Sequence, residues 1–203
     1  MQTIKFKIVG RGPCLQHNNT LVNPFSPKTV AFKQISGKRK KTEDDLNEMS
    51  RLEWEAGLYI DDKIGPHWPG ANIQRMVLDA AKLSKRGKDI TRGVQVLEDK
   101  VPLQYKGPRD MAGLFADGNY VDVRPAKNGP TGGTIMRTRP IFPEWSCEFS
   151  LNFDPEAIDG GDLVQIVHTA GQMIGLSEYR PRFGRFDVIA VNGKKVEPVD
   201  VAA

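Results

Sequence analysis

Apolar and polar residues follow regular periods in four segments of the chain, and these give the strongest predicted elements. Residues 3–9 and 144–153 alternate with a period of two, which is typical of half-buried strands. Residues 71–86 and 161–174 carry apolar side chains three and four positions apart, which predicts two amphipathic helices. The inward stripe of the second helix is expected to comprise Leu163, Ile166, Val167, Ala170, Met173 and Ile174. His168 lies off this stripe and is expected at the surface.

Capping and turn signals add shorter elements between these segments. Ser26-Pro27 is typical of a helix start, and Thr42 with Asp45 predicts a capping box for a second helix that ends at Gly57. Phe186 to Val191 reads as a last strand.

The remaining segments are rich in glycine and proline. Residues 120–123 and 134–139 predict the arms of a long hairpin with a Gly-rich tip at 128–133. Residues 65–70 are expected to form a turn, and residues 87–118 to be irregular with short strands only.

The strongest elements together predict one α+β domain over residues 1–203. Their order, β-α-β-β-α-β, is that of a ferredoxin-like (RRM-like) fold. The core is expected to comprise residues 1–10, 66–90 and 120–193, with a helical insertion at 24–56 and the long β-hairpin.

Composition narrows the class of protein. The 203 residues carry a net charge of +4, and 39% are hydrophobic, which describes a loop-rich globular chain. No apolar run approaches the ~20 residues needed to cross a bilayer, so no membrane partner is expected. Cys14 and Cys147 lie too far apart in sequence to predict a disulfide framework or a zinc site, and a reducing cytoplasmic location is expected.

The positive charge is segregated into four basic runs, and three of them lie beside aromatic residues. Clustered Lys and Arg neutralise phosphates, while aromatic planes stack on bases, so this pattern favours a nucleic-acid-binding surface. The predicted phosphate-binding residues are Arg75, Lys82, Lys85, Arg86, Arg137, Arg139, Arg180, Arg182 and Arg185. The predicted stacking residues are Trp68, Tyr179 and Phe183.

Three short motifs resemble the repeat-associated RNA-binding proteins (the RAMP superfamily) of CRISPR systems, above all the RRM-like backbone subunit of effector complexes. The loop from Gly175 to Phe186 resembles that family's glycine-rich loop between the second helix and the last strand. The segments 10–15 and 69–75 are similar to the family's first loop and to the start of its first core helix. The loop departs from the family in holding only Gly175 and Gly184 as glycines, which shifts the expected phosphate contacts to its three arginines.

The resemblance implies a non-catalytic protein that binds single-stranded nucleic acid, RNA in preference to DNA. It also implies a homo-oligomer or filament, in which copies assemble head to tail along the strand. Small phage-encoded proteins have sequences of this general kind, and this resemblance implies a phage origin.

Catalytic signatures are sparse in the sequence. The motifs of phosphate loops, dinucleotide-binding loops and nucleophile elbows are missing, and no cluster of His, Cys and acids has metal-ligand spacing, so neither cofactor nor metal is expected. His17 is the one position where a relative that cleaves RNA would place a general acid or base. A metal-independent endoribonuclease and a phage structural or assembly protein therefore stay open as alternatives.

Overall fold

The computed structural model describes residues 1–127 and 132–196, and the four periodic segments form strands and helices as predicted. The strands are β1 (Gln2–Gly10), β2 (Cys14–Leu15), β3 (Ile60–Asp61), β4 (Gly65–Pro69), β5 (Val94–Val96), β6 (Lys100–Pro102), β7 (Val121–Lys127), β8 (Thr134–Phe142), β9 (Ser146–Phe153), β10 (Phe186–Val191) and β11 (Lys194–Lys195). The helices are α1 (Pro27–Ser36), α2 (Glu43–Gly57), α3 (Gly70–Leu83), α4 (Gly87–Gly93), α5 (Met111–Asp117) and α6 (Gly160–Thr169). A mixed α+β fold is therefore confirmed.

The contacts divide the chain into two units. Unit 1 comprises Met1–Cys14, Asp61–Lys106 and the described part of Pro143–Ala203. Unit 2 comprises Leu15–Ile60 and the described part of Gly107–Phe142. The hairpin β7-β8 thus belongs to unit 2 together with the predicted helical insertion.

Unit 1 is built on an antiparallel sheet with the strand order β11-β10-β1-β9-β5. β1 lies between β10 and β9, and its Phe6 pairs with Phe149 of β9, whose ring it stacks on at 5.5 Å between centroids. Alternate residues of β1 and β9 are buried, as the period of two predicted. The apolar stripes of α3 and α6 complete this core.

Unit 2 packs α2 against β8. The predicted capping box forms, because Asp45 N–H donates to the Thr42 hydroxyl while Thr42 N–H donates to the Asp45 carboxylate. Trp54 anchors the helix, since its ring is buried and its Nε1 donates to the Tyr120 carbonyl at 2.8 Å. The indole also meets the ring of Phe115 edge-on at 5.3 Å.

Two expectations about strands differ from the structure. In place of the turn predicted at 65–70, residues 65–69 form β4 and Gly70 begins α3, because pairing with β6 and the burial of Trp68 outweigh the turn preference of Gly and Pro. The strand beside β9 in the larger sheet is β5, whereas the hairpin strands join the sheet β2-β8-β7. Alternation shows that a strand is half-buried, but it does not say which strand is its partner.

Helical expectations also need correction. The segment predicted to be irregular contains α4 and α5, and Asp110 caps α5 by accepting from Gly113 N–H at 2.8 Å. The end of the last long helix is π-helical from Ala170 to Ile174, which turns Met173 to solvent with 58% of its surface exposed. His168 is buried with 8% exposed, so its predicted place at the surface is wrong. Residues 128–131 of the predicted Gly-rich tip lie outside the described residues.

Candidate nucleic-acid interface

The loop that follows the π-helical segment is closed at its neck by two glycines. Gly175 and Gly184 have φ values of +81° and +77°, a region that favours glycine. A Cβ on Gly184 would lie 2.4 Å from the carbonyl oxygen of Leu176, and Leu176 N–H donates to the Gly184 carbonyl at 2.8 Å. The residues between the two glycines therefore project as a loop whose ends touch.

An aromatic pair lies within this loop. Tyr179 stacks on Phe183 with 6.0 Å between ring centroids and 30° between planes. Tyr179 is 59% exposed, whereas Phe183 is 8% exposed. Tyr179 therefore offers a plane to solvent on which a base can stack, while Phe183 supports it from below.

Three predicted cations converge on one carboxylate, Asp79 of α3. Arg75 Nε donates to it at 2.9 Å and Lys82 Nζ at 3.0 Å, because positions 75, 79 and 82 share one face of the helix. Arg180 of the loop approaches the same carboxylate at 3.9 Å. We call these four residues the Asp79 cluster. Three positive charges against one negative charge leave an excess of two on an exposed surface.

The pKa of Asp79 reflects this neighbourhood. Burial acts to raise the pKa of the carboxyl, but the hydrogen bonds from Arg75 and Lys82 outweigh it and bring the pKa below its ordinary value. Asp79 is thus ionised at neutral pH, and it holds the cations where a phosphate oxygen would take its place.

The other cations of the loop have fewer partners. Arg185 Nε donates to the Pro181 carbonyl at 3.1 Å. Neither Arg182 nor Arg185 forms an ion pair within residues 1–127 and 132–196, and both side chains are exposed. With the opposite charge of Glu178 in the same segment, these two arginines add a net +1 to the excess at the Asp79 cluster.

Two predicted residues lie between α3 and α4. Arg86 is held between Asp89 of α4 and Asp162 of α6, and these hydrogen bonds raise its pKa. Arg86 therefore joins two helices, and a phosphate would have to displace both acids. Lys85 is exposed, with a φ of +62°.

Arg137 and Arg139 belong to unit 2 and lie on β8 of the hairpin. Arg137 donates to Glu53 of α2, which also accepts from the backbone N–H of Thr138 at 2.9 Å. Arg139 is half-buried, and its Nε has no hydrogen-bond partner in the described part of the chain. The other ten predicted site residues belong to unit 1.

Trp68 needs correction as a stacking residue. Its ring is 1% exposed within β4, since the strand pairs with β6 and the indole lies in the core. A base cannot reach the face of this ring without unfolding of the strand.

Sequence reasoning missed a groove at the end of β1 in unit 1. Arg11, Tyr105, Lys106, Glu144 and Trp145 line it together with neighbouring backbone, around a volume of about 550 Å³. The segment 10–15, which resembles the family's first loop, includes Arg11. The other four residues lie outside the three segments that resemble the family. Trp145, which directly precedes the strongest strand, was the available signal.

Three features of the described residues bear on the search for catalytic groups. Within them no three His, Cys, Asp or Glu side chains are grouped so as to hold a metal ion. His17 belongs to unit 2, and its carbonyl accepts from the Tyr59 hydroxyl at 3.1 Å. Burial raises the pKa of the Cys147 thiol well above its ordinary value, which keeps it protonated.

No helix in the described part of the chain is long and apolar enough to span a membrane.

Comparison with known proteins finds a similarity to solved structures. No protein-family model and no curated protein matches this chain. A chain in the cryo-EM structure of the Type III-B Cmr-beta bound to cognate target RNA has a similar fold, with a TM-score of 0.53 and 13% sequence identity. The match covers 93% of this chain and 59% of that chain, so this protein spans about three fifths of its neighbour's length. The chain is therefore similar in fold to this chain of the Type III-B Cmr-beta structure.

Proposed function

We propose that this chain binds single-stranded RNA without cleaving it, through the Asp79 cluster and the loop between Gly175 and Gly184. The observation that carries the proposal is the sharing of one carboxylate by Arg75, Lys82 and Arg180, which come from two separate elements. A backbone phosphodiester, like Asp79, bears one negative charge shared by two oxygens, so it can take the place of the carboxylate between these cations.

The exposed ring of Tyr179 supports recognition of a single strand. Bases of a duplex are already stacked on one another, whereas an unpaired base has a free face for an aromatic side chain. Arg182 and Arg185 follow this ring by three and six positions in sequence, so phosphate contacts and stacking would occur close together.

We further propose that unit 1 is a ferredoxin-like, RRM-like core. The order β10-β1-β9-β5, with α3 between β1 and β5 and α6 between β9 and β10, supports this topology. Binding of RNA is favoured over DNA because the structural neighbour is bound to cognate target RNA.

Assembly along the strand belongs to the same proposal and rests on the resemblance to effector backbone subunits. A head-to-tail contact that does not close on itself produces a filament, so each copy would cover a fixed length of RNA. Asp45, Glu53 and Glu55 of α2 form ion pairs inside unit 2, so the acidic region 43–62 offers less free charge to a neighbouring copy than its composition indicated.

The proposal is tested by fluorescence anisotropy with a labelled 20-nucleotide RNA, offered as a single strand and as a duplex. We expect salt-sensitive binding of the single strand and weaker binding of the duplex. Equal affinity for both forms would contradict the role of Tyr179, and no binding to either would contradict the proposal. Size-exclusion chromatography with RNAs of increasing length would show whether more copies bind to longer strands.

The two alternatives predict different results in the same experiment. Shortening of the RNA in the presence of a chelator, lost in His17→Ala, would identify a metal-independent endoribonuclease. A phage structural or assembly protein would carry no nucleic acid on purification and would bind none.

A further inference from the structure

The groove at the end of β1 has rigid walls. Gly10 leaves room for the indole of Trp145, because a Cβ at that position would lie 2.2 Å from Nε1. Trp145 Nε1 donates to the Gly12 carbonyl at 2.9 Å, and Gly10 N–H donates to the Trp145 carbonyl at 2.9 Å. Gln104 is fixed on the other side, since its backbone exchanges two hydrogen bonds of 2.8 Å with Ser146. The groove is therefore formed before any ligand arrives.

The side chains that line this groove combine four kinds of chemistry. Tyr105 supplies a half-buried aromatic surface, whereas the ring of Trp145 is only 3% exposed, and Lys106 and the Asp187-paired Arg11 supply positive charge. Gln104 supplies an amide whose oxygen accepts from the Ser146 hydroxyl at 3.3 Å, which leaves the NH₂ group as the donor. Glu144 supplies an exposed carboxylate without an ion pair in the described part of the chain.

This combination matches the parts of one nucleotide. Its base has a flat apolar face and a polar edge with donors and acceptors, and its phosphate is an anion. A volume of about 550 Å³ lies in the usual range of small-molecule sites, about 300–1,000 Å³.

We infer that this groove binds one unstacked nucleotide of the bound strand and that Glu144 selects a base with an exocyclic amino group over uracil. The inference rests on the proposed function and names a base-reading position within it. A carboxylate only accepts hydrogen bonds, and the amino groups of adenine, cytosine and guanine donate them. Uracil offers one edge donor, N3–H, between two carbonyl oxygens that repel a carboxylate.

The groove is connected to the loop of the candidate interface through Arg11. Its backbone N–H donates to the Arg185 carbonyl at 2.8 Å, and its Nε donates to Asp187 at 2.7 Å. A strand whose phosphates contact the loop therefore needs to continue only a short distance for the next base to enter the groove.

The inference is tested with labelled oligo(C) and oligo(U) decamers, two pyrimidine strands that differ at the polar edge of the base. Anisotropy titrations compare the wild-type protein, Glu144→Gln and the matched control Glu156→Gln, which removes the same charge from an exposed residue of unit 1 outside the groove. We expect the wild type and the control to prefer oligo(C) by about fivefold or more. In Glu144→Gln this ratio should fall to about one, because oligo(U) binds more tightly.

Each other outcome overturns the inference. Equal wild-type affinities, or an unchanged ratio in Glu144→Gln, would remove base reading from the groove while salt-sensitive binding of both decamers leaves the proposed function in place. No binding of either decamer would overturn both. Because Glu144 is exposed at the rim, we expect Glu144→Gln to melt at the wild-type temperature, so a changed ratio reports on binding.

Discussion

Two basic surfaces of this protein use their arginines in different ways. On the hairpin of unit 2, Arg124 pairs with Asp122 and Arg137 pairs with Glu53, so each of these cations has its own carboxylate. At the Asp79 cluster of unit 1, three cations share a single carboxylate. The charges of Arg124 and Arg137 are each neutralised by one acid, whereas two of the three positive charges at the Asp79 cluster are not.

A basic run in a sequence therefore does not measure the charge available to a ligand. On the hairpin, Arg124 and Arg137 are directly opposite across the strands, an arrangement that repels unless each guanidinium is compensated. Their acids therefore stabilise the hairpin. In unit 1 the uncompensated charges remain exposed, so a polyanion gains more there.

The largest expected effect separates the two surfaces directly. Replacing Arg180, Arg182 and Arg185 together by Gln should weaken binding of single-stranded RNA by about 100-fold or more, because three charge-assisted contacts are lost. The melting temperature should stay within a few degrees, since all three side chains are exposed. Anisotropy and thermal melting measure the two quantities.

The matched variant changes Arg124, Arg137 and Arg139 to Gln. We expect it to lower the melting temperature and to affect RNA affinity less than the loop variant does. If the hairpin variant loses more RNA affinity than the loop variant and its melting temperature is unchanged, the RNA-binding site lies on β7 and β8 instead.

The salt dependence of RNA affinity tests the same difference between the two basic surfaces. Five phosphate contacts, one for each cation of the proposed site, predict a slope of log affinity against log salt of roughly −3 to −4, at about −0.7 per contact. The triple loop variant should reduce this slope by about 2. A wild-type slope shallower than about −1 would rule out the electrostatic interpretation.

Removing the shared carboxylate should have a smaller and opposite effect. Asp79→Asn is expected to strengthen RNA binding about two- to tenfold at low salt, because the three cations no longer hold an internal acid that competes with phosphate. Glu156→Gln controls for the change in net charge. A loss of affinity in Asp79→Asn, with the control unchanged, would show that Asp79 orients the cations for the ligand.

Acid pH is expected to destabilise unit 1 first. His67 and His168 are buried there, and burial lowers the pKa of each imidazole despite opposing contributions from nearby groups. A lowered pKa stabilises the neutral form in the fold, so this stability is present above about pH 6.5 and is lost as the pH falls through the folded pKa. We expect the melting temperature to drop about 2–5 °C between pH 7 and pH 5.

Hydrogen exchange would show which of the two units loses stability at acid pH. Earlier opening of α6 and β4 than of α2 at pH 5 is the expected pattern, and the reverse order would contradict the role of the two histidines.

The smallest effect concerns the hairpin carboxylate. Glu53→Gln should lower the melting temperature by about 2–4 °C, because Arg137 and the N–H of Thr138 lose a charged acceptor. Glu43→Gln on the exposed side of the same helix should shift it less. An unchanged melting temperature in Glu53→Gln would mean that this ion pair adds nothing to the stability of unit 2.

The sequence predicted where strands and helices lie better than it predicted which strands pair with one another. Period-two alternation located β1 and β9, and the capping residues Thr42 and Asp45 located the start of α2, because these signals are local. The pairing of β5 with β9 depends on contacts more than fifty residues apart along the chain. A single sequence holds no direct record of such contacts.

The same limit applies to the candidate site. The loop arginines and Arg75 were found from composition, but their shared partner Asp79 was visible only once the loop and α3 were adjacent. Trp68 shows the reverse error, since an aromatic residue beside a basic run is equally consistent with a core position.

The neck formed by Gly175 and Gly184 has a consequence for how this surface can change. Because the two glycines contact each other, the chain re-enters β10 at the same point whatever lies between them. Lengthening such a loop costs only about 0.6 kcal/mol per doubling of its length. Residues 177–182 can therefore be replaced by a segment of different length or charge without altering the register of the sheet, provided that the buried ring of Phe183 is kept.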